Sequence, residues 1–425
     1  MKDKSFNLRF VARRGDTPRR CAASAILLRK TSPNFVGVVI PQKQERGLSQ
    51  SESRGYNMKN SFGNGLTVTL FGESHGTAVG AVADGFESGI SVREDEIAAA
   101  LLRRSPLGFD AALSTARREK DGFTIVSGVK DGFTTGAPLC VMIANAAQRP
   151  EDYRALEGLA RPSHGDLELR LKYGEHADLC GGGHFSGRLT AALTALGAVA
   201  RRALSDRGTE IGTHISALAG IADRDFDTAC PEKDIALLND EEHIFAVLDP
   251  DAAERMKTAI RQAGQDGDSV GGILSTCVTG LPAGIGEPWF DTAEGMLSHA
   301  LFSIPGVKGV QFGDGFALAS MRGSEANDGY LSLENGRAKT RTNHSGGVNA
   351  GITNGMPLRF DCAVKPTPTI AKEQALLDTR TGKAVNAAVG GRHDPAIVHR
   401  ARAAVDAVTA LTLYGMLREA AEGAK

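Results

Sequence analysis

Aromatic residues are scarce in this chain, at 5% of 425 residues, with one tryptophan and five tyrosines. The six cysteines, at 21, 140, 180, 230, 277 and 362, form no Cys-x-x-Cys pair and no short secreted frame. A zinc or disulfide scaffold is therefore not indicated, and reduced thiols are the default. No apolar run reaches the roughly 18 residues of a membrane span. Net charge is only −1, yet it is unevenly spread. Residues 1–57 hold 12 Lys+Arg against 4 Asp+Glu, so the remainder is acidic. An acidic, aromatic-poor globular region disfavours nucleic-acid binding.

That basic leader has no apolar stretch long enough for a secretory signal. Its Arg-rich, acid-poor composition loosely fits a transit peptide, and translation from Met58 is the plainer alternative. Either way residues 1–57 are expected to be disordered, with a cytoplasmic protein, or a plastid one if the leader is a true transit peptide. Residues 58–425 contain no Pro-rich linker, repeat or low-complexity tract and read as one α+β catalytic domain. The 51 glycines exceed the average near 7% without a Gly-X-Y period, which points to a loop-rich enzyme.

The alternation of Thr67–Leu70 and Ala78–Asp84 predicts paired strands. Gly122–Lys130, Pro138–Ala144 and segments 270–280 and 358–365 also read as strands. Arg93–Leu102 predicts a helix with Ser91 as N-cap. Leucines at helical spacing predict an amphipathic helix over 187–206, and a second long helix spans Val398–Ala421.

Titratable side chains recur beside Gly or Pro, where the chain turns and cannot hide them in a regular element. Glu73-Ser74-His75-Gly76 ends one strand. Arg161-Pro162-Ser163-His164-Gly165-Asp166 and Gly391-Arg392-His393-Asp394-Pro395 follow far downstream. Two histidines and an aspartate on such turns suggest one polar pocket built from distant segments. Gly72–Gly76 also spells G-x-S-x-G, but a nucleophile elbow needs a helix after the serine and a strand-like segment follows. His164, Asp166, His176, Asp178 and His184 lack zinc-site spacing, so no metal is expected.

Further blocks are Gly181-Gly182-Gly183 with Ser186 and Arg188, Val307-Lys308-Gly309-Val310, Gly323-Ser324-Glu325, Ser345-Gly346-Gly347, Asn354-Gly355-Met356-Pro357 and Lys365-Pro366-Thr367-Pro368-Thr369. In this order, over Met58 to about Leu417, they resemble the chorismate synthase family. The resemblance implies a β-α-β sandwich with antiparallel sheets and surrounding helices, and assembly as a homotetramer. It implies anti-1,4-elimination of phosphate from 5-enolpyruvylshikimate 3-phosphate with reduced FMN, and NADPH only in bifunctional members. A flavin-binding paralogue that has lost catalysis is the alternative.

By the same resemblance His75, His164 and Asp394 are catalytic. His75 protonates the departing phosphate, His164 sets the flavin's protonation state, and Asp394 assists removal of the ring hydrogen. Ser74, Arg104 and Arg188 would hold substrate. FMN would meet Ser186, Pro305, Gly306, Ala350, Lys365, Pro366, Thr367, Pro368, Thr369 and Arg392. The chain departs from the family at Cys180, where an arginine is usual, and in the longer, less basic turn after Arg104. Independently of the family, the glycine run before the 187–206 helix reads as an anion site at a helix N-terminus.

Overall fold

A computed structural model of the chain describes residues 57–114, 121–146, 157–391 and 393–423, all within one compact unit. Most of the basic leader, and Arg392, lie outside the described residues. Two five-stranded antiparallel sheets form the outer layers. The first runs Ser61–Phe62, Thr67–Gly72, Ala78–Asp84, Leu139–Ala144 and Phe123–Ser127 in spatial order. The second runs Ile221–Ala222, Glu210–Leu218, Gly272–Thr279, Leu358–Val364 and Val307–Phe312.

Between the sheets lie helices α1 (Glu94–Arg104), α2 (Thr190–Ser205), α3 (Ala293–Leu301) and α4 (Val398–Gly423). Helix α2 touches Ala78–Asp84 and Leu139–Ala144 of the first sheet and Glu210–Leu218 of the second, while α4 packs along α2 and the second sheet. This is the β-α-β sandwich with antiparallel sheets that the resemblance implies.

Small residues bring helices α2 and α4 close together. At Gly197 of α2, an added Cβ would lie 2.4 Å from Ala407 Cβ of α4, so only glycine permits this approach. Helix α2 is amphipathic, as its leucine spacing predicts, only in its C-terminal half, where Ala198, Arg201, Arg202 and Ser205 form a face that is not buried. In its first two turns residues all around it are buried, Ala191 and Thr194 included, because strands of the first sheet and helices α1 and α4 pack against it. Helix α1 also differs from expectation. Arg93 occupies its N-cap without a side-chain bond, and Ser91 instead forms a bridge to Phe133. The acidic first turn, Glu94-Asp95-Glu96, opposes the helix dipole in place of a capping hydroxyl.

One buried titratable group makes this core pH-sensitive. His399, in the first turn of α4, is wedged between Phe109 (ring centroids 4.5 Å apart) and Phe245 (6.0 Å). Neither ring nitrogen has a hydrogen-bond partner among the described residues. Burial, and secondarily Arg400, push its pKa down to about 3. The unfolded chain therefore binds a proton that the folded one refuses. Stability is complete above the ordinary histidine value of about 6.5 and falls as pH drops from there toward 3. Denaturation midpoints measured at pH 7 and pH 5 should show this loss, and His399→Phe should reduce it. An identical loss in the variant would assign it to other groups.

Candidate active site

The hairpin joining Thr67–Gly72 to Ala78–Asp84 pairs Gly72 with Val79 and projects Glu73–Thr77 beyond the sheet. Gly72 has φ 93°, and a Cβ there would lie 2.2 Å from Ala78 O, so the turn requires glycine. Ser74 Oγ lies 3.1 Å from His75 Nδ1 and donates to Cys180 O and Gly181 O at 3.1 and 3.2 Å. Gly181 has φ 60°, and its Cβ would meet the His75 ring at 2.1 Å. The glycine run is thus not a helix N-terminus, since α2 begins only at Thr190. Its glycines instead let the backbone pass against His75 and, at Gly183, against Asp178 O.

On the other side of Gly181 and Gly182 opens a cavity of about 620 Å³. It collects Arg104, His164, Ser186, Arg188, Pro305, Gly306, Lys365, Thr367, Pro368 and Asp394, contributed by distant segments. Ser74, His75, Ala350, Pro366 and Thr369 are not on its wall. His75 borders it through Gly181, and Thr369 Oγ1 bonds His164 Nε2 behind the surface. Ala350 sits with φ 51° in the turn between Val348–Asn349 and Ile352–Thr353.

The His164 turn is held from both ends. Asp166 accepts from Arg161 Nε at 2.7 Å, Nη2 at 2.9 Å and the backbone N–H at 3.1 Å. Lys365 Nζ donates to Ser163 O at 2.6 Å, and Ser163 accepts a strained φ of 60°. The strand Glu373–Asp378 pairs with Leu159–Ala160, which brings 365–369 beside 161–166. Burial, then Arg161, push His164 down to about 4, with Asp166 opposing. In the ligand-free cavity it is a neutral imidazole at pH 7, and a bound anion would raise its proton affinity.

Three residues that sequence reading did not single out organise the arginines. Asp121 accepts from Arg104 Nη1 at 2.9 Å and also from Arg188 Nη1. Arg104 is further spent on Thr190 Oγ1 and Gly187 O, both at 2.9 Å, and burial lowers its pKa to about 10. Asn145 Oδ1 accepts from Arg188 Nε at 3.1 Å. Arg400 donates from Nη1 to Asp394 Oδ1 at 2.9 Å and from Nε to Arg104 O at 2.9 Å. Ser114 Oγ adds a bond to the same Asp394 oxygen at 3.3 Å. With Arg161, Lys308 and Lys365 also on the wall, cations outnumber carboxylates there.

The sandwich thus carries a cationic cavity, with His164 on its wall and His75 bordering it through Gly181. The profile of the family described as chorismate synthase matches residues 66–417, and this chain belongs to that family of enzymes. It is 41% identical to the chorismate synthase of Dehalococcoides mccartyi over 356 residues, 84% of this chain and 96% of that one. It is likewise 41% identical to that of Thermococcus gammatolerans over 365 residues, 84% and 98% of the two chains. A chorismate synthase crystal structure superposes with a TM-score of 0.65 at 27% identity, covering 84% of this chain and 93% of that one.

Proposed function

We propose that the chain removes phosphate and a ring hydrogen from 5-enolpyruvylshikimate 3-phosphate, an anti-1,4-elimination giving chorismate, with reduced FMN bound beside the substrate. The observation that carries this reading is the cavity's surplus of fixed positive charge beside His164 and Asp394. The substrate brings two carboxylates and a phosphate, which guanidinium groups bind as charge-assisted forks. By family resemblance the protein would be a cytoplasmic homotetramer.

The residues suit a flavin on two counts. Thr367 Oγ1 is buried without a partner among the described residues, an orphaned hydroxyl that a polar group of the cofactor would satisfy. The cavity volume also falls in the usual ligand range of about 300–1,000 Å³. Lys365, Thr367 and Pro368, with Ser186, Pro305 and Gly306 facing them, would hold it. When bound, reduced FMN supplies electron density to the substrate ring while the reaction stays redox-neutral overall.

The chain's own groups would divide the proton work. His75 holds a proton for the leaving phosphate, with Ser74 orienting its Nδ1. His164, neutral in the empty cavity, gains basicity once an anion stands beside it. Asp394, fixed by Arg400 and Ser114, faces the cavity as the group to accept or relay the ring hydrogen. Arg188 retains unshared N–H groups for substrate, whereas Arg104 serves mainly to position it.

Anaerobic incubation with substrate and chemically reduced FMN should release phosphate and chorismate together, whereas a paralogue without catalysis would release neither. Because the candidate contacts lie on separate loops, oxidised FMN should bind weakly alone and tighter with substrate. The expected coupling is about 1–3 kcal/mol, read by fluorescence titration with and without substrate. Equal affinities in the two titrations would defeat the shared-cavity assignment.

A further inference from the structure

Asn145 is the first residue beyond the strand Leu139–Ala144. Its backbone N–H donates to Thr77 O at 3.1 Å. Its side-chain Nδ2 donates to both Glu73 O and Gly76 O at 2.9 Å. Its Oδ1 accepts from Arg188 Nε at 3.1 Å. The amide's orientation follows from these partners, because two carbonyls only accept and a guanidinium only donates.

An asparagine at a strand end ordinarily bonds its own backbone within a few residues to shape a turn. This one spans a turn about seventy positions away and closes it on either side of His75. Its remaining polar atom meets an arginine of the cavity wall. The same arginine is held by Asp121, and Asp121 by Arg104, so the amide is the last link of a bonded line along the cavity.

We infer that Asn145 is a positioning residue that couples Arg188 to His75, so that an anion on Arg188 orders the turn that aims the imidazole. An anion fixing the guanidinium fixes Oδ1. The rigid amide then fixes the two donors that set the spacing of Glu73 O and Gly76 O. This inference rests on the proposed function for its substrate, but its mechanical part does not depend on turnover.

The test uses Asn145→Ala and the isosteric Asn145→Asp, which keeps an oxygen toward Arg188 and offers no N–H to the two carbonyls. In ligand-free protein, amide exchange at Ser74 and Gly76 should quicken at least about tenfold in either variant, with the rest of the first sheet unchanged. Substrate plus oxidised FMN should slow exchange of the turn in the wild type and far less in the variants. Turnover should drop about 10- to 100-fold, the scale of a misplaced catalytic group. In a His75→Ala background Asn145→Ala should cost less than about twofold more, because the effect runs through His75. Unchanged exchange at Ser74 and Gly76, equal slowing by substrate, or fully additive losses would each overturn the inference. A wild-type protein that releases no phosphate would instead sink the proposed function, and the ligand-free exchange would still decide the link between Asn145 and the turn.

Discussion

Alanine at His75 or at His164 is expected to lower turnover about 10²- to 10⁴-fold, the usual contribution of a positioned acid or base. Fold and FMN binding should largely survive. Neither imidazole belongs to the hydrophobic core, and each stands on a turn fixed by other groups. The His75 turn is closed by Asn145 and the Gly76 N–H to Glu73 O bond of 3.0 Å. The His164 turn is closed by the Arg161–Asp166 pair. The two losses should differ in character. His164 starts from a pKa of about 4, so its replacement should alter the pH–rate profile of the flavin-bound enzyme as well as its height. Single-turnover phosphate release, where chemistry limits the rate, is the measurement. A His75→Ala enzyme with wild-type turnover would remove that residue from the mechanism.

The fold was partly legible in residue patterns. The strands at 67–70 and 78–84 and the helix from 398 appear close to where alternation and periodicity put them. Helices Pro231–Asn239 and Pro250–Gln265 were passed over, although each opens on a proline at its first turn, a usual start signal. The first half of α2 is buried more completely than its leucine spacing indicates, because periodicity reports the apolar stripe and not the number of neighbours. A helix of alanines and one glycine can be surrounded without a second leucine face. At the site, residues on Gly- or Pro-rich turns were visible, since the chain cannot bury them in regular structure. Asp121, Asn145 and Arg400 were not. Asp121 follows a run of mixed charges that reads as a solvated face, Asn145 looks like a strand terminator, and Arg400 looks like a helix surface charge. Their roles exist only in tertiary contacts from Asn145 to residues 73, 76 and 188 and from Arg400 to Arg104.

Removal of the Asp121 side chain should cost a large share of the stability. Its side chain is 4% exposed and those of Arg104 and Arg188 are 8% and 13% exposed, so solvent does little to screen the triad. Desolvation is already the main influence on Arg104, holding its pKa down to about 10, and Asp121 is the strongest influence raising it. Asp121→Ala therefore leaves two guanidinium groups buried against one another with no carboxylate between them. Breaking a buried pair in this way typically costs about 3–5 kcal/mol, a large share of an ordinary protein's stability. Substrate binding should weaken in parallel, because Arg188 loses the group that aims it. Adding Arg104→Met to Asp121→Ala removes one uncompensated charge and should recover part of the lost stability, a coupling that a double-mutant cycle isolates. Chemical denaturation of the four proteins measures this. A loss within about 0.5 kcal/mol for Asp121→Ala would place it with ordinary surface substitutions, and Arg104 would then be free to serve the substrate directly. A large loss with partial rescue would mean that the cavity's positive charge is held in place by its own buried carboxylate, leaving the substrate to compete with Asp121 for Arg188 alone.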